Sequence, residues 1–319
     1  MRDATSSVAK ENFSTPRASQ SGATNAPAPF AFLALIIGNA ALATGPLFVR
    51  LADVGPVASG FWRLALALPI LLALAFWEHR RRLAGGSIRA GRSVLWLAAA
   101  AGVFFAADLA SWHIGILQTK MANATLFGNS ASLIMAATTL LLARRWPVKA
   151  ETLALTFAVV GAVLLLRESG QQGTARLRGD LLCLLAGVLY TGYMLTMQRA
   201  RGALGSWAAL GLSTAAGVLP LLLFAMVLGE AIWPGDWRPV VLLALTSQLV
   251  GQGLLIYALP HFSALVVGLT LLTQPAVSAL IGWMFRGETL TTTELIGGVL
   301  VAAALVLIRL PLASRNAAS

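Results

Sequence analysis

Charge is scarce in this 319-residue chain: Asp, Glu, Lys and Arg make up 11% of it, against about 25% in ordinary soluble domains. The single cysteine, Cys183, excludes an intramolecular disulfide, and its apolar neighbours mark it as a packed helix residue. The three histidines, His79, His113 and His261, lie far apart. No Cys/His set has zinc-like spacing, so no metal is expected. The chain has no phosphate loop, which removes ATP drive by this chain, and no Gly-x-Ser-x-Gly elbow or His-Glu-x-x-His helix. An intramembrane enzyme is therefore a remote alternative. A membrane sensor is equally remote, because the loops are short and no sizeable polar domain is present.

What is abundant is apolar. Hydrophobic residues make up 58% of the chain, and its mean hydropathy is +0.79. No soluble domain of this length has the interior to hide so much apolar surface, so the solvent for most of the chain is lipid. Apolar runs recur at about 20 residues, the length at which a helix crosses the hydrocarbon core. A run such as "PFAFLALIIGNAALATGPLFV" does not alternate, which excludes barrel strands. The fold class is all-α, with ten transmembrane helices expected at 30–50, 57–77, 94–114, 119–142, 150–167, 180–199, 206–228, 239–258, 262–285 and 293–311. "GILQTK" separates the third from the fourth, and Pro260 and His261 mark a tight turn before the ninth.

Net charge is +11, but blocks such as "EHRRRL" punctuate the apolar runs and act as topology signals, not as a nucleic-acid face. Ten helices put both termini on one side. Of the 23 Lys and Arg, the terminal side carries about twice as many as the other, where Arg50, Lys120, Arg167, Arg176, Arg178, Arg238 and Arg286 lie. That excess places both termini in the cytoplasm of a multi-pass inner-membrane protein. Residues 1–28 and 312–319 are expected to be cytoplasmic tails, the first disordered because it is rich in Ser, Ala, Thr and Pro. The first apolar run is too long for a signal-peptide core and meets no cleavage site.

Helices one to five and six to ten have similar lengths and spacing, either side of a polar linker at 168–179. Setting Glu151 on Glu294 also sets Ser132 on Pro275 and Arg145 on Glu288, with few identities. An odd number of helices per half inverts the second copy, and inverted repeats with a site near the midplane are a transporter signature.

Three stretches carry a family resemblance. "VGPVASGFWRLALALPILL" resembles the second helix of the EamA family of the drug/metabolite transporter superfamily, in which a Pro precedes a helix with an inward Arg. "ADLASWHIGILQTKMANATLFGNSAS" resembles the third and fourth helices. "LLTQPAVSALIGWMFRGETLTTTELIGG" resembles the ninth and the start of the tenth, with Pro275, Gly287 and Glu288 in the usual places. The first half departs from the pattern, with Ser132 where the family usually has Pro and Arg145 where it usually has Glu. The resemblance implies two inverted five-helix repeats, here 29–167 and 180–311, and export of small metabolites. It does not name the substrate.

Polar residues within the apolar runs are the candidate site. A charge at bilayer depth costs about 2.5–3.5 kcal/mol on insertion scales and normally faces protein or a wet cavity. Asp108 and Trp112 are four apart and share a helix face, while His113 points elsewhere. Two roles stand for Asp108: a proton-titratable or amine-binding group in a central cavity, or a structural carboxylate paired with Arg63 or capped by nearby hydroxyls. Arg63 itself is a helix–helix partner or an anion site. Asn123, Asn129, Gln248, Gln252, Thr270 and Gln274 form further polar stripes; alone, each does no more than join helices. Trp62, Trp112, Tyr190 and Tyr193 are candidates to stack on a flat or cationic ligand, whereas Trp207, Trp233, Trp237 and Trp283 read as interfacial belt residues. The expected protein is a secondary exporter of small organic solutes, amino acids first, with a cationic-drug exporter as runner-up. No cofactor is expected. The partners are the solute, the lipid bilayer and, if Asp108 couples transport, protons. A homodimer is left open.

Overall fold

The structure, a computed structural model, describes residues 28–84, 91–142, 144, 146–258, 261–262, 270–271 and 273–308. The two tails, Pro260, Arg145 and much of the expected ninth span lie outside these residues. The described residues are helical and contain no strand. Among the described residues eight helices are long and apolar enough to cross a membrane.

Span one is broken at Thr44 into α1 (Ala28–Ala43) and α2 (Gly45–Leu51). Pro46 stands in the first turn of α2, where a missing N–H costs nothing. Span two is α3 (Pro56–Ala84), span three α4 (Arg92–Ile116). Span four breaks at Asn129–Ser130 into α5 (Met121–Gly128) and α6 (Ala131–Leu142). Spans five to seven are α7 (Lys149–Gln171), α8 (Thr174–Leu204) and α9 (Ser206–Val227). Span eight is α10 (Trp237–Leu243), a π-helical stretch (Ala244–Gln252) and α11 (Gly253–Ala258). The ninth and tenth places are taken by α12 (Thr273–Arg286) and α13 (Thr292–Leu307). The polar segment 168–179 is not an extended linker: α7 runs to Gln171 and α8 starts at Thr174.

The helices pair as the repeat requires. Spans two and seven, four and nine, and five and ten pack on each other, while span three packs on six as span one packs on eight. Exchanging each helix with the one five places later maps this set onto itself. Local chemistry repeats as well. Glu151 accepts from the Val148 N–H at 3.0 Å at the start of α7, and Glu294 accepts from Thr291 N–H at 2.8 Å at the start of α13. Glu78 receives the N–H groups of Ser206 and Ala208 at the head of α9 (3.1 and 2.9 Å), and Glu230 receives those of Val57 and Ala58 at the head of α3 (3.3 and 2.8 Å). Each carboxylate satisfies helix-end donors that lack intrahelical partners. The α3–α9 pair is thus fastened at both ends.

Two apolar cores flank the centre. One joins α3, α4, α8 and α9 around Leu64, Phe105, Tyr193 and Leu210. The other joins α2, α4, α5, α7, α8 and α13 around Ile116, Phe127, Leu165 and Leu305. At the α7–α13 crossing a Cβ on Gly161 would lie 2.7 Å from the Gly297 carbonyl oxygen. Gly161→Leu is therefore expected to destabilise the protein by about 1–3 kcal/mol through overpacking. A lowered unfolding midpoint in detergent, with Gly170→Ala as an unaffected control, checks this.

Candidate functional site

A cavity of about 560 Å³ lies between the two cores. Its walls come from α3, α4, α5, α6, α8, span eight and α12, so both halves contribute. At its centre stand Asp108 and Arg63, which are 8% and 2% exposed. Asp108 projects from α4 one turn before Trp112, and both line the cavity. Among the described residues Asp108 makes no hydrogen bond and no ion pair. Arg63 donates from Nε to Gln248 Oε1 at 3.2 Å, and its guanidinium lies 6.0 Å from the centre of the Phe105 ring. Gln248 is held by Thr214 at 3.4 Å. Arg63 and Asp108 make no ion pair within 4.0 Å, although each feels the charge of the other across the cavity wall.

Asn129, Tyr190, Gln252 and Gln274 also line the cavity. Asn129 sits at the break in span four and reaches the Leu271 carbonyl at 3.4 Å, and Gln274 donates to Asn39 at 2.6 Å. The π-helical stretch carries Gln248 and Gln252. Such wide turns are uncommon and cluster at functional sites.

Other candidates lie outside the lining. Tyr193 is fully buried beneath the wall, stacked on Phe105 with ring centres 4.7 Å apart. Gln248 stands behind Arg63, and Thr270 is buried off the cavity. Asn123 faces Asp180 at 3.5 Å. Trp62 is part of a cluster with Trp233 and Trp237 (5.4 and 4.8 Å) and donates to the Ile232 carbonyl, so it belongs to the rim of the bundle. His113 is fully buried, with Nδ1 2.8 Å from the Ser59 hydroxyl.

The two ends of the cavity differ. Towards the terminal side it extends past Met135, Thr139 and Gln198 to Arg201. Gln198 and Arg201 also border a second hollow of about 300 Å³ beside Glu78 and Arg82. The opposite side of the bundle carries a cluster of buried charge. Arg50 binds Glu288 at 2.5 Å and the carbonyls of Ile116 (3.0 Å) and Thr119. Glu288 also accepts the Met121 N–H at 2.9 Å, at the start of α5. Lys120 binds Glu294 at 2.5 Å and the Thr289 carbonyl at 2.7 Å. Behind them Asp180 accepts from Thr119, from Ser169 at 2.6 Å and from Asn123. This latch ties α2, α5, α12 and α13 together. Asn123 apart, its residues were not candidates in the sequence, where Arg50 and Lys120 counted only as topology charges. The spacing of 238 residues between Arg50 and Glu288 leaves no local signal.

A cavity shared by two paired halves in a multi-span helical bundle is the layout of a membrane transporter. The chain matches the EamA-like transporter family over residues 29–167 and again over 177–310, and it belongs to that family. It is 26% identical over 219 residues to an uncharacterized transporter of Archaeoglobus fulgidus, covering 69% of this chain and 77% of that one. It is 32% identical over 151 residues to the threonine/homoserine exporter RhtA of Escherichia coli K12, and 30% identical over 148 residues to RhtA of Salmonella typhimurium. Each of these two matches covers 46% of this chain and about half of the exporter. A solved crystal structure shares the fold with a TM-score of 0.55 at 17% identity, covering 87% of this chain and 96% of the other.

Proposed function

We propose that this transporter is a secondary exporter of small organic solutes, amino acids or their analogues foremost, working by alternating access around Asp108. The observation that carries this is a carboxylate on the wall of a cavity built by both halves that makes no hydrogen bond or ion pair among the described residues. A carboxylate in that position binds a proton or a cationic group, and binding one excludes the other. That exclusion is what couples an exported solute to an imported proton. The protein lies in the inner membrane with both termini in the cytoplasm, a reading supported by the bias of Lys and Arg towards the terminal side. In that orientation the cavity faces the cytoplasm and the Arg50–Glu288 latch closes the outer end. The repeats are 29–167 and 180–311. The names of the exporters among its relatives agree with the direction of transport and with an amino-acid substrate.

An exporter of cationic compounds is the second reading, favoured by Trp112 and Tyr190 beside Asp108. Arg63 on the same wall speaks against it, since a lone cation is repelled there.

The test is uptake of a panel of amino acids and organic cations into liposomes carrying the purified protein, with an imposed pH difference. Saturable accumulation of one amino acid that follows the gradient is expected. Accumulation of cations alone contradicts the first reading in favour of the second.

A further inference from the structure

We infer that the cavity takes an α-amino acid with an apolar side chain, its ammonium on Asp108 and its carboxylate on Arg63. This rests on the exporter reading above and names the substrate class of that site. Two opposite charges face one cavity, and among the described residues neither makes a direct ion pair there. Leaving a buried charge without its partner is strongly unfavourable, so two such groups on neighbouring helices would ordinarily close on each other. Here Arg63 is held off. Gln248 takes its Nε, and Phe105, itself stacked on Tyr193, lies under its guanidinium. The Nη1 and Nη2 groups of Arg63 make no hydrogen bond among the described residues. A zwitterion supplies both missing partners at once through charge-assisted hydrogen bonds. A plain amine satisfies Asp108 but adds a second positive charge beside Arg63. A plain acid does the converse.

The side chain is read by what the remaining wall offers. Most of its other polar groups are engaged within the protein, with Gln252 Oε1, buried without a hydrogen-bond partner among the described residues, as the exception. Thr125 donates to the Met121 and Ala122 carbonyls, Thr139 to the Met135 carbonyl, Asn129 to Leu271 and Gln274 to Asn39. α8 lines the cavity with Met194 and Met197 after Tyr190, and Met135 of α6, Leu109 and Leu255 belong to the same wall. Positions 190, 194 and 197 share one helix face. Flexible thioethers fit apolar side chains of varied shape, and they offer nothing that strongly prefers a hydroxyl.

Purified full-length protein in detergent is titrated calorimetrically with leucine, methionine, threonine, 3-methylbutylamine and 4-methylpentanoate. The last two are leucine without its carboxylate and without its ammonium. Leucine and methionine are expected to bind about tenfold or more tighter than either truncated analogue, the scale of one lost hydrogen bond to a charged group. Threonine should bind more weakly than leucine. Arg63→Gln should weaken leucine but leave 3-methylbutylamine unchanged or tighter, whereas Asp108→Asn should weaken leucine but not 4-methylpentanoate. A merely structural role for either residue would move all ligands together. Equal binding of leucine and 3-methylbutylamine overturns the two-charge recognition, and equal binding of threonine and leucine overturns the apolar side-chain site. Binding of none of these, with gradient-driven flux of another amino acid intact, overturns the inference and leaves the exporter reading standing. The absence of all flux fails that reading instead.

Discussion

Asp108→Asn reduces gradient-driven accumulation to the level of protein-free liposomes while the protein still elutes as a folded, monodisperse species. The change removes the ionisable proton site and keeps the shape. Asp108 makes no hydrogen bond or ion pair among the described residues, so its amide leaves no former partner exposed. Desolvating a carboxylate inside a bundle is costly, and an amide in its place removes that cost, so stability should hold or rise. The transport cycle, by contrast, loses the group for which solute and proton compete. Undiminished accumulation in the Asp108→Asn protein would sink the coupling role and leave a facilitator.

The second large effect is expected at the latch. Arg50 and Glu288 are buried, with side chains 6% and 16% exposed, and Arg50 also serves two backbone carbonyls. Removing one partner of a buried ion pair costs about 3–5 kcal/mol. Arg50→Ala leaves Glu288 with a backbone donor but no cation, and it leaves the Ile116 and Thr119 carbonyls without their Arg50 donors. If the whole cost falls on the state closed at that end, its population relative to the open state drops by roughly two to four powers of ten. The readout is labelling of Asn129→Cys, on the cavity wall, by a membrane-impermeant thiol reagent. The native Cys183 is buried and should stay silent. Asn129→Cys alone should react from the terminal side only, and adding Arg50→Ala should admit the reagent from the latch side. Identical one-sided labelling with and without Arg50→Ala would mean that the ion pair does not govern access.

Much of this was legible because lipid is an unforgiving background. Against 58% apolar residues, Asp108, Arg63 and the Trp112 one turn on from Asp108 stand out, and all three line one cavity. The helix count was legible for the same reason. Tyr193 was not separable from Tyr190. The two are three residues apart, yet the α8 face carrying Tyr190 borders the cavity and Tyr193 turns into the Phe105–Leu210 core. Trp62 looked like a ligand platform because its run is apolar, and only the chain's return at Trp233 and Trp237 gives it company on the rim. The repeat was faint because no single offset aligns it. The register that matches Glu151 with Glu294 leaves Pro69 out of step with Pro220, inside α3 and α9, and Glu78 out of step with Glu230. Connections of unequal length absorb the difference. The latch and the reciprocal caps join residues far apart in the chain, so neither periodicity nor spacing announces them.

Counterflow tests the central claim most directly. Liposomes holding the purified protein and a high internal concentration of unlabelled leucine are placed in a trace of labelled leucine, with no pH difference across the membrane. A carrier that alternates access around one site takes the label up transiently above equilibrium, at a rate that saturates with external leucine and falls sharply in Asp108→Asn. Label that merely equilibrates at the rate of protein-free liposomes, for leucine and for every other amino acid tried, would contradict an amino-acid carrier built on this cavity.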